Sequence, residues 1–206
     1  MNELNSIIGK VAPLPAENVD TDQIIPAEYL KLLSRKGLGR YLFYTWRYDE
    51  LGRPRSGFLL NDGRFKDSVI LVAGKNFGIG SSREFAVWAL LDYGFKAVIA
   101  PSFGDIFYGN ALKSGLLCVK VSEDGVRQLQ EQSKDGELTA EIDLGRQEIR
   151  TNKGDKIGFE MDPALLRRRL AEQDEISLTL GFEERIRSFE RSRPRCLEVD
   201  REVFLA

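Results

Sequence analysis

Three short apolar stretches, SVILVAG (68–74), KAVIAPS (96–102) and LLCVKV (116–121), constrain the fold most, because a segment of helical length separates each from the next. Continuous apolar strands are buried on both faces, and strands alternating with helices of about 10–15 residues pair in parallel. The spacing predicts one helix over roughly 82–93, closed by Gly94, and a second, FGDIFYGNALKS, closed by Gly115. A parallel α/β layer follows from that order.

The flanking text attaches other elements to this layer. IIGKVAPLP reads as a strand ending at Pro13 and Pro15, and Asp20 or Thr21 as a turn or cap residue. Pro26 can open a helix over roughly 27–34, stopped by Gly37 and Gly39. Residues 44–66 are rich in Gly, Arg and Asp and read as an irregular surface segment. After a helix near 122–133, ELTAEIDLG and QEIRTNKGDKIGFEM alternate apolar and polar, which predicts an antiparallel hairpin turning at NKGD. PALLRRRLAEQ and LGFEERIRSFERSR predict helices. The expected organisation is one domain over residues 1–190, an α/β core with an added β hairpin and a C-terminal helical arm, then a charged tail over 191–206.

The reactive residues narrow the chemistry. There is no histidine, so the chain holds no Ser-His or Cys-His pair, no HExxH zinc site and no histidine base of its own. Its two cysteines, Cys118 and Cys196, are far apart, and Cys118 lies in an apolar run where a buried structural thiol is expected. Two thiols supply neither an iron–sulfur cluster nor structural zinc on familiar ligand patterns. A net charge of −2 offers no basic excess for nucleic acid or a membrane surface, and no apolar run approaches a transmembrane length. The start, MNELNSIIGKVAPLP, lacks the basic and apolar regions of a signal peptide, so the expected location is cytoplasmic.

The segment GKNFGIGSSREFAVWAL leaves a strand through Gly74, Gly78 and Gly80 and enters a helix at Ser81 or Ser82. Glycines let the backbone approach a ligand, and a helix start offers free N–H groups to an anion. Arg83 adds a planar fork suited to a carboxylate or phosphate. The loop is neither GxGxxG nor a Walker loop. Ser81-Ser-Arg-Glu84 also spells a capping box, which would make Ser81 a cap rather than a reactive group. Likewise Asp20-Thr21-Asp22 reads first as turn and cap, and Arg35, Lys36, Arg40 and Arg47 as a solvated basic face.

Taken together, NVDTDQIIP, LFYTWRY and NFGIGSSREFAVWALLDYGFKAVIAPSFGDIFYGNALKSGLL resemble the small subunits of isopropylmalate isomerase (3-isopropylmalate dehydratase). These are similar in turn to the swivelling fourth domain of aconitase. The resemblance implies a single swivelling β/β/α domain and half of a two-subunit hydro-lyase, inactive alone. Together the halves interconvert 2-isopropylmalate and 3-isopropylmalate by dehydration and rehydration in leucine biosynthesis. It implies that Ser81 is the base acting on substrate carbon and that Arg35 stabilises its alkoxide. Ser82 and Arg83, with Gly80, contact a substrate carboxylate, and Thr21 and Asp22 line the same cleft.

By the same resemblance no cofactor is bound by this chain; a [4Fe-4S] cluster and the missing histidines belong to the large subunit. The expected partners are that subunit and a hydroxy-dicarboxylate, with self-association of the small chain when its partner is absent. The segment 35–48 would help choose the isopropyl group. One departure stands out: where the family reads SSREH, this chain has Phe85. That keeps open a related hydro-lyase of citramalate/citraconate or homoaconitate type, or a non-catalytic binding paralogue.

Overall fold

The computed structural model describes residues 6–31, 36–80, 83–163, 166 and 175–192. Its strands are β1 (Ser6–Leu14), β2 (Ile70–Ala73), β3 (Ala97–Ala100), β4 (Leu117–Lys120), β5 (Thr139–Asp143), β6 (Glu148–Thr151) and β7 (Lys156–Gly158). They form one sheet in the order β4-β3-β2-β1-β5-β6-β7. The architecture is α/β, as the alternation of apolar strands and helices requires. Strands β1 to β4 pair in parallel, and β5 to β7 extend the sheet antiparallel to one another.

Strand β1 joins the two halves by changing partner along its length. Ser6–Lys10 pairs antiparallel with β5, and Val11–Leu14 pairs in parallel with β2. Pro13 therefore falls where β1 has a ladder on one side only, the position a residue without an N–H tolerates. The single hairpin expected after residue 133 is instead a three-stranded meander. The NKGD turn is present between β6 and β7, and a second turn at Leu144–Gln147 separates β5 from β6. Gln147 there has φ of 52°, a conformation that an alternation pattern does not announce.

Helices α3 (Glu84–Tyr93) and α4 (Asp105–Ser114) cover one face of the parallel strands. Ala86, Val87, Ala89 and Leu90 of α3 and Phe107 and Ala111 of α4 share one core with Ala12, Leu71, Ala73, Val98, Ala100 and Cys118. The alternate strand residues, Val11, Ile70, Val72, Ala97, Ile99 and Val119, are buried on the opposite face. There α5 (Glu123–Gln132) lies across β1, β2 and β3, burying Val126 and Leu129. Its N-cap is Ser122, whose hydroxyl accepts from Gly125 N–H at 3.2 Å, a bond of a kind that contributes about 1 kcal/mol.

Between β1 and β2 the chain forms short α1 (Thr21–Ile24) and 3-10 turns at Ala27–Lys31 and Gly39–Tyr41, and the segment 44–66 read as irregular contains α2 (Tyr44–Arg47) and 3-10 turns at Leu59–Asn61 and Gly63–Phe65. Of the helix expected over 27–34, the described residues show the 3-10 turn Ala27–Lys31, and residues 32–35 lie outside the described part. One member of the basic face is corrected. Arg47 is 9% exposed; its Nε donates to Asn61 Oδ1 at 3.2 Å, and Nη1 donates to the carbonyls of Gly39 and Leu42 at 3.4 Å. Its guanidinium lies over the rings of Tyr48 and Tyr93. A cation so satisfied is a structural strut. Arg40 and Lys36 are exposed, as expected.

Residues 1–162 and 163–206 form two compact units. In the second, α6 (Glu175–Leu180) precedes α7 (Glu183–Ser192), the helix predicted from LGFEERIRSFERSR. Most of PALLRRRLAEQ and the tail 193–206 lie outside the described residues. No helix among the described residues is long and apolar enough to cross a membrane.

Candidate active site

The C-terminal ends of β1, β2 and β3 point the same way, and the loops that leave them run side by side. This end of a parallel sheet is where ligands bind in α/β proteins. Val19 O accepts from Gly78 N–H at 2.7 Å and Ile79 N–H at 3.2 Å, and Thr21 N–H donates to Ile79 O at 3.0 Å. On the other flank Phe77 N–H donates to Ser102 O at 3.0 Å and Gly104 N–H to Phe77 O at 2.9 Å. The glycine loop is thus laced into the loops on both sides.

Such lacing needs close backbone approach, which explains two of the glycines. A Cβ on Gly74 would lie 2.5 Å from Ala16 O. Gly78 combines φ of 76° with contact against the Phe107 ring, so a side chain there is excluded twice over.

The first acidic segment meets the loop directly. Asp20 caps α1 in a full capping box: its Oδ1 accepts from Gln23 N–H at 2.7 Å, and Gln23 Oε1 accepts from Asp20 N–H at 2.9 Å. Thr21 is buried at 1% exposure and faces Gly80. Asp22 pairs with the guanidinium of Arg83. Thr21, Asp22, Gly80 and Arg83 therefore share one place. Ser81, Ser82 and Arg35 lie outside the described residues.

Helix α3 starts at Glu84, with Arg83 as its N-cap and no side-chain cap. The Glu84 carboxylate accepts from Ser114 Oγ on α4 at 3.3 Å, and the capping box read for Ser81 falls on a residue outside the described part. Among the described residues no side chain caps the start of α3, and its positive end lies next to the Arg83 cation.

A partly exposed aromatic ladder follows α1. Tyr29 stacks on Tyr41 at 3.9 Å, and Tyr44 lies 5.1 Å from Tyr29 and 4.8 Å from Tyr48. Burial, and then a hydrogen bond with Tyr44, push the Tyr29 hydroxyl well above the usual phenol range, so it remains protonated. The chain text offered only scattered tyrosines. Also missed were Asn18, Asn76 and Ser102, which are hydrogen-bonded to one another across the three loops. The only available signal was an asparagine placed just before a glycine-rich turn.

Comparison with known proteins now adds to this geometry. Residues 1–124 match the Aconitase C-terminal domain family. The 3-isopropylmalate dehydratase small subunit of Oceanobacillus iheyensis is 49% identical over 92% of this chain and 98% of its own length. That of Bacillus subtilis is 47% identical over 96% of this chain and 100% of its own. The chain belongs to the family of 3-isopropylmalate dehydratase small subunits. A crystal structure of 3-isopropylmalate dehydratase from Methanocaldococcus jannaschii superposes with a TM-score of 0.64 at 35% identity, covering 90% of this chain and 99% of that one.

As a small subunit of this family, the chain does not have residues that fit an iron–sulfur cluster. Cys118 is buried in β4, and that burial pushes its thiol above the usual range and away from the thiolate a metal needs. One cysteine besides it, Cys196, is too few. Phe85, where small subunits read histidine by the resemblance above, is half-buried, with its ring 4.8 Å from Trp88 and packed on the main core. Its place on α3 is filled by apolar contact.

Proposed function

We propose that this chain, assembled with a large subunit, interconverts 2-isopropylmalate and 3-isopropylmalate by dehydration and rehydration in leucine biosynthesis. The observation that carries the reading is the meeting of Thr21 and Asp22 with Gly80 and Arg83 at the C-terminal ends of the parallel strands. It occurs in a chain nearly half identical to small subunits of that name along almost its whole length.

In this reading Arg83 binds a substrate carboxylate through paired N–H donors, with Ser82 beside it. Ser81 takes the proton from substrate carbon in the dehydration direction and returns it on rehydration. A serine oxygen is a poor base in water and needs cations and N–H donors focused on it in a dry site. The start of α3, Arg83 and Arg35 supply that field. The Lewis acid is a [4Fe-4S] cluster on the large subunit, which also brings the histidines this chain lacks. The pair is a cytoplasmic heterodimer, and segment 35–48, with its tyrosine ladder, lies toward the isopropyl group.

Expression with the cognate large subunit in a bacterial host lacking its own small subunit tests this. Growth without leucine is expected when both chains are present. Growth failure despite soluble assembly would count against the reading and favour a citramalate- or homoaconitate-type substrate, or a binding role.

A further inference from the structure

One side chain joins all three loops at the site. Asn76 and Asn18 both sit in the left-handed region, with φ of 57° and 54°, a conformation that asparagine tolerates better than most residues. Asn76 Nδ2 donates to Asn18 Oδ1 at 2.8 Å. Its Oδ1 accepts from Ser102 Oγ at 2.9 Å, and its backbone N–H donates back to that Oγ at 2.9 Å. Asn18 N–H in turn donates to Lys75 O at 2.9 Å. The amide of Asn76 thus uses both its ends to tie the loop after β2 to the loops after β1 and β3.

We propose that Asn76, with Asn18 and Ser102, is the positioning latch of the catalytic loop, setting where Gly80 and Arg83 are presented. The proposal rests on the reading above, in which that loop carries the base. A segment with glycines at 74, 78 and 80 has many backbone states to lose, so something must select one. The backbone bonds of Phe77, Gly78 and Ile79 follow immediately after the latch and align the loop with Val19 and Ser102. Asn76 is a positioning residue: a displacement of about 1 Å in a reacting group can cost on the order of a hundredfold in rate.

Three variants separate the amide from the backbone it sits on. Asn76→Gly keeps the positive φ without strain and removes both side-chain bonds. Asn76→Asp keeps two oxygens: one still accepts from Ser102, and the other accepts from an Asn18 amide turned to present its NH2. Ser102→Ala removes the side-chain link to the third loop and serves if the glycine variant folds poorly.

In the small chain alone, Asn76→Gly and Ser102→Ala are expected to speed amide hydrogen exchange at Phe77, Gly78, Ile79 and Thr21 while leaving β2 and β3 unchanged. In the assembled enzyme, kcat falls by about tenfold to a hundredfold, with a smaller rise in KM as Arg83 shifts with the loop. Asn76→Asp restores both, and the double variant is no worse than the poorer single one. Unchanged exchange in both variants overturns the latch, as does faster exchange with unchanged kcat, or an equal loss in Asn76→Asp. If the wild-type assembly does not turn over 3-isopropylmalate, the functional reading fails, and the exchange comparison still decides whether the latch orders the loop.

Discussion

The Arg83 guanidinium donates to the carboxylate of Asp22, 61 residues away in the sequence, and so holds the start of α3 against α1. The pair is asymmetric: the Arg83 side chain is 19% exposed and that of Asp22 54%. Asp22 is the solvent-facing partner, and Arg83 is the more buried one.

Arg83→Lys keeps the charge but loses the planar fork. Removing a charge-assisted hydrogen bond of about 1.5–3 kcal/mol corresponds to a rise in KM of roughly tenfold to a hundredfold. Asp22→Asn, which leaves Arg83 in place but less firmly oriented, should raise KM less. Steady-state kinetics of the assembled enzyme measure both, and unchanged KM in Arg83→Lys would remove Arg83 from substrate binding.

Close approach at the loop gives a stability prediction with an internal control. A Cβ on Gly104 would overlap the Gly78 carbonyl, so Gly104→Ala should destabilise the chain by about 1–3 kcal/mol. Gly109, inside α4, has nothing within 4 Å of an added Cβ. Gly109→Ala should instead stabilise by about 0.4–1 kcal/mol. Denaturant melts of the two variants should move in opposite directions; a shift of the same sign would contradict the packing described here.

Local signals made the parallel layer legible. Ile70–Ala73, Ala97–Ala100 and Leu117–Val119 are continuous apolar runs, and Gly94 and Gly115 end α3 and α4 as residues free to take positive φ. The partner switch in β1 was not legible, because Ser6–Leu14 carries no local mark of which neighbour each half will pair with. Arg47 was misread because burial of a cation depends on carbonyls at Gly39 and Leu42 being turned toward it, which composition does not encode. At the site, the DTD segment and the glycine loop stood out as motifs. That Asp22 reaches Arg83, and Asn76 reaches both Asn18 and Ser102, is decided only when three strand ends are brought together.

Acid should weaken the fold through four carboxylates. Asp49 is held below the usual range by the Arg53 backbone N–H, and Asp62 by the Arg64 side chain. Asp135 is lowered by the Glu137 backbone N–H and then Lys153, and Glu148 by the Arg150 side chain. A folded pKa below the unfolded one contributes stability that is present above the unfolded pKa, near 4, and is lost as pH falls through the folded value. Melting temperature should therefore decline below about pH 4, and Glu148→Gln should flatten part of that decline. Identical profiles for the two proteins would show that the Glu148–Arg150 pair does not contribute.

The central claim is that this chain carries the base of a two-chain isomerase. The direct measurement is anaerobic turnover of 3-isopropylmalate by the assembled enzyme with a fully loaded cluster, comparing the wild-type chain with Ser81→Ala. Turnover that requires both subunits and is lost in Ser81→Ala, with assembly intact, is the predicted result. No turnover by the wild-type assembly, or full turnover by Ser81→Ala, would contradict it.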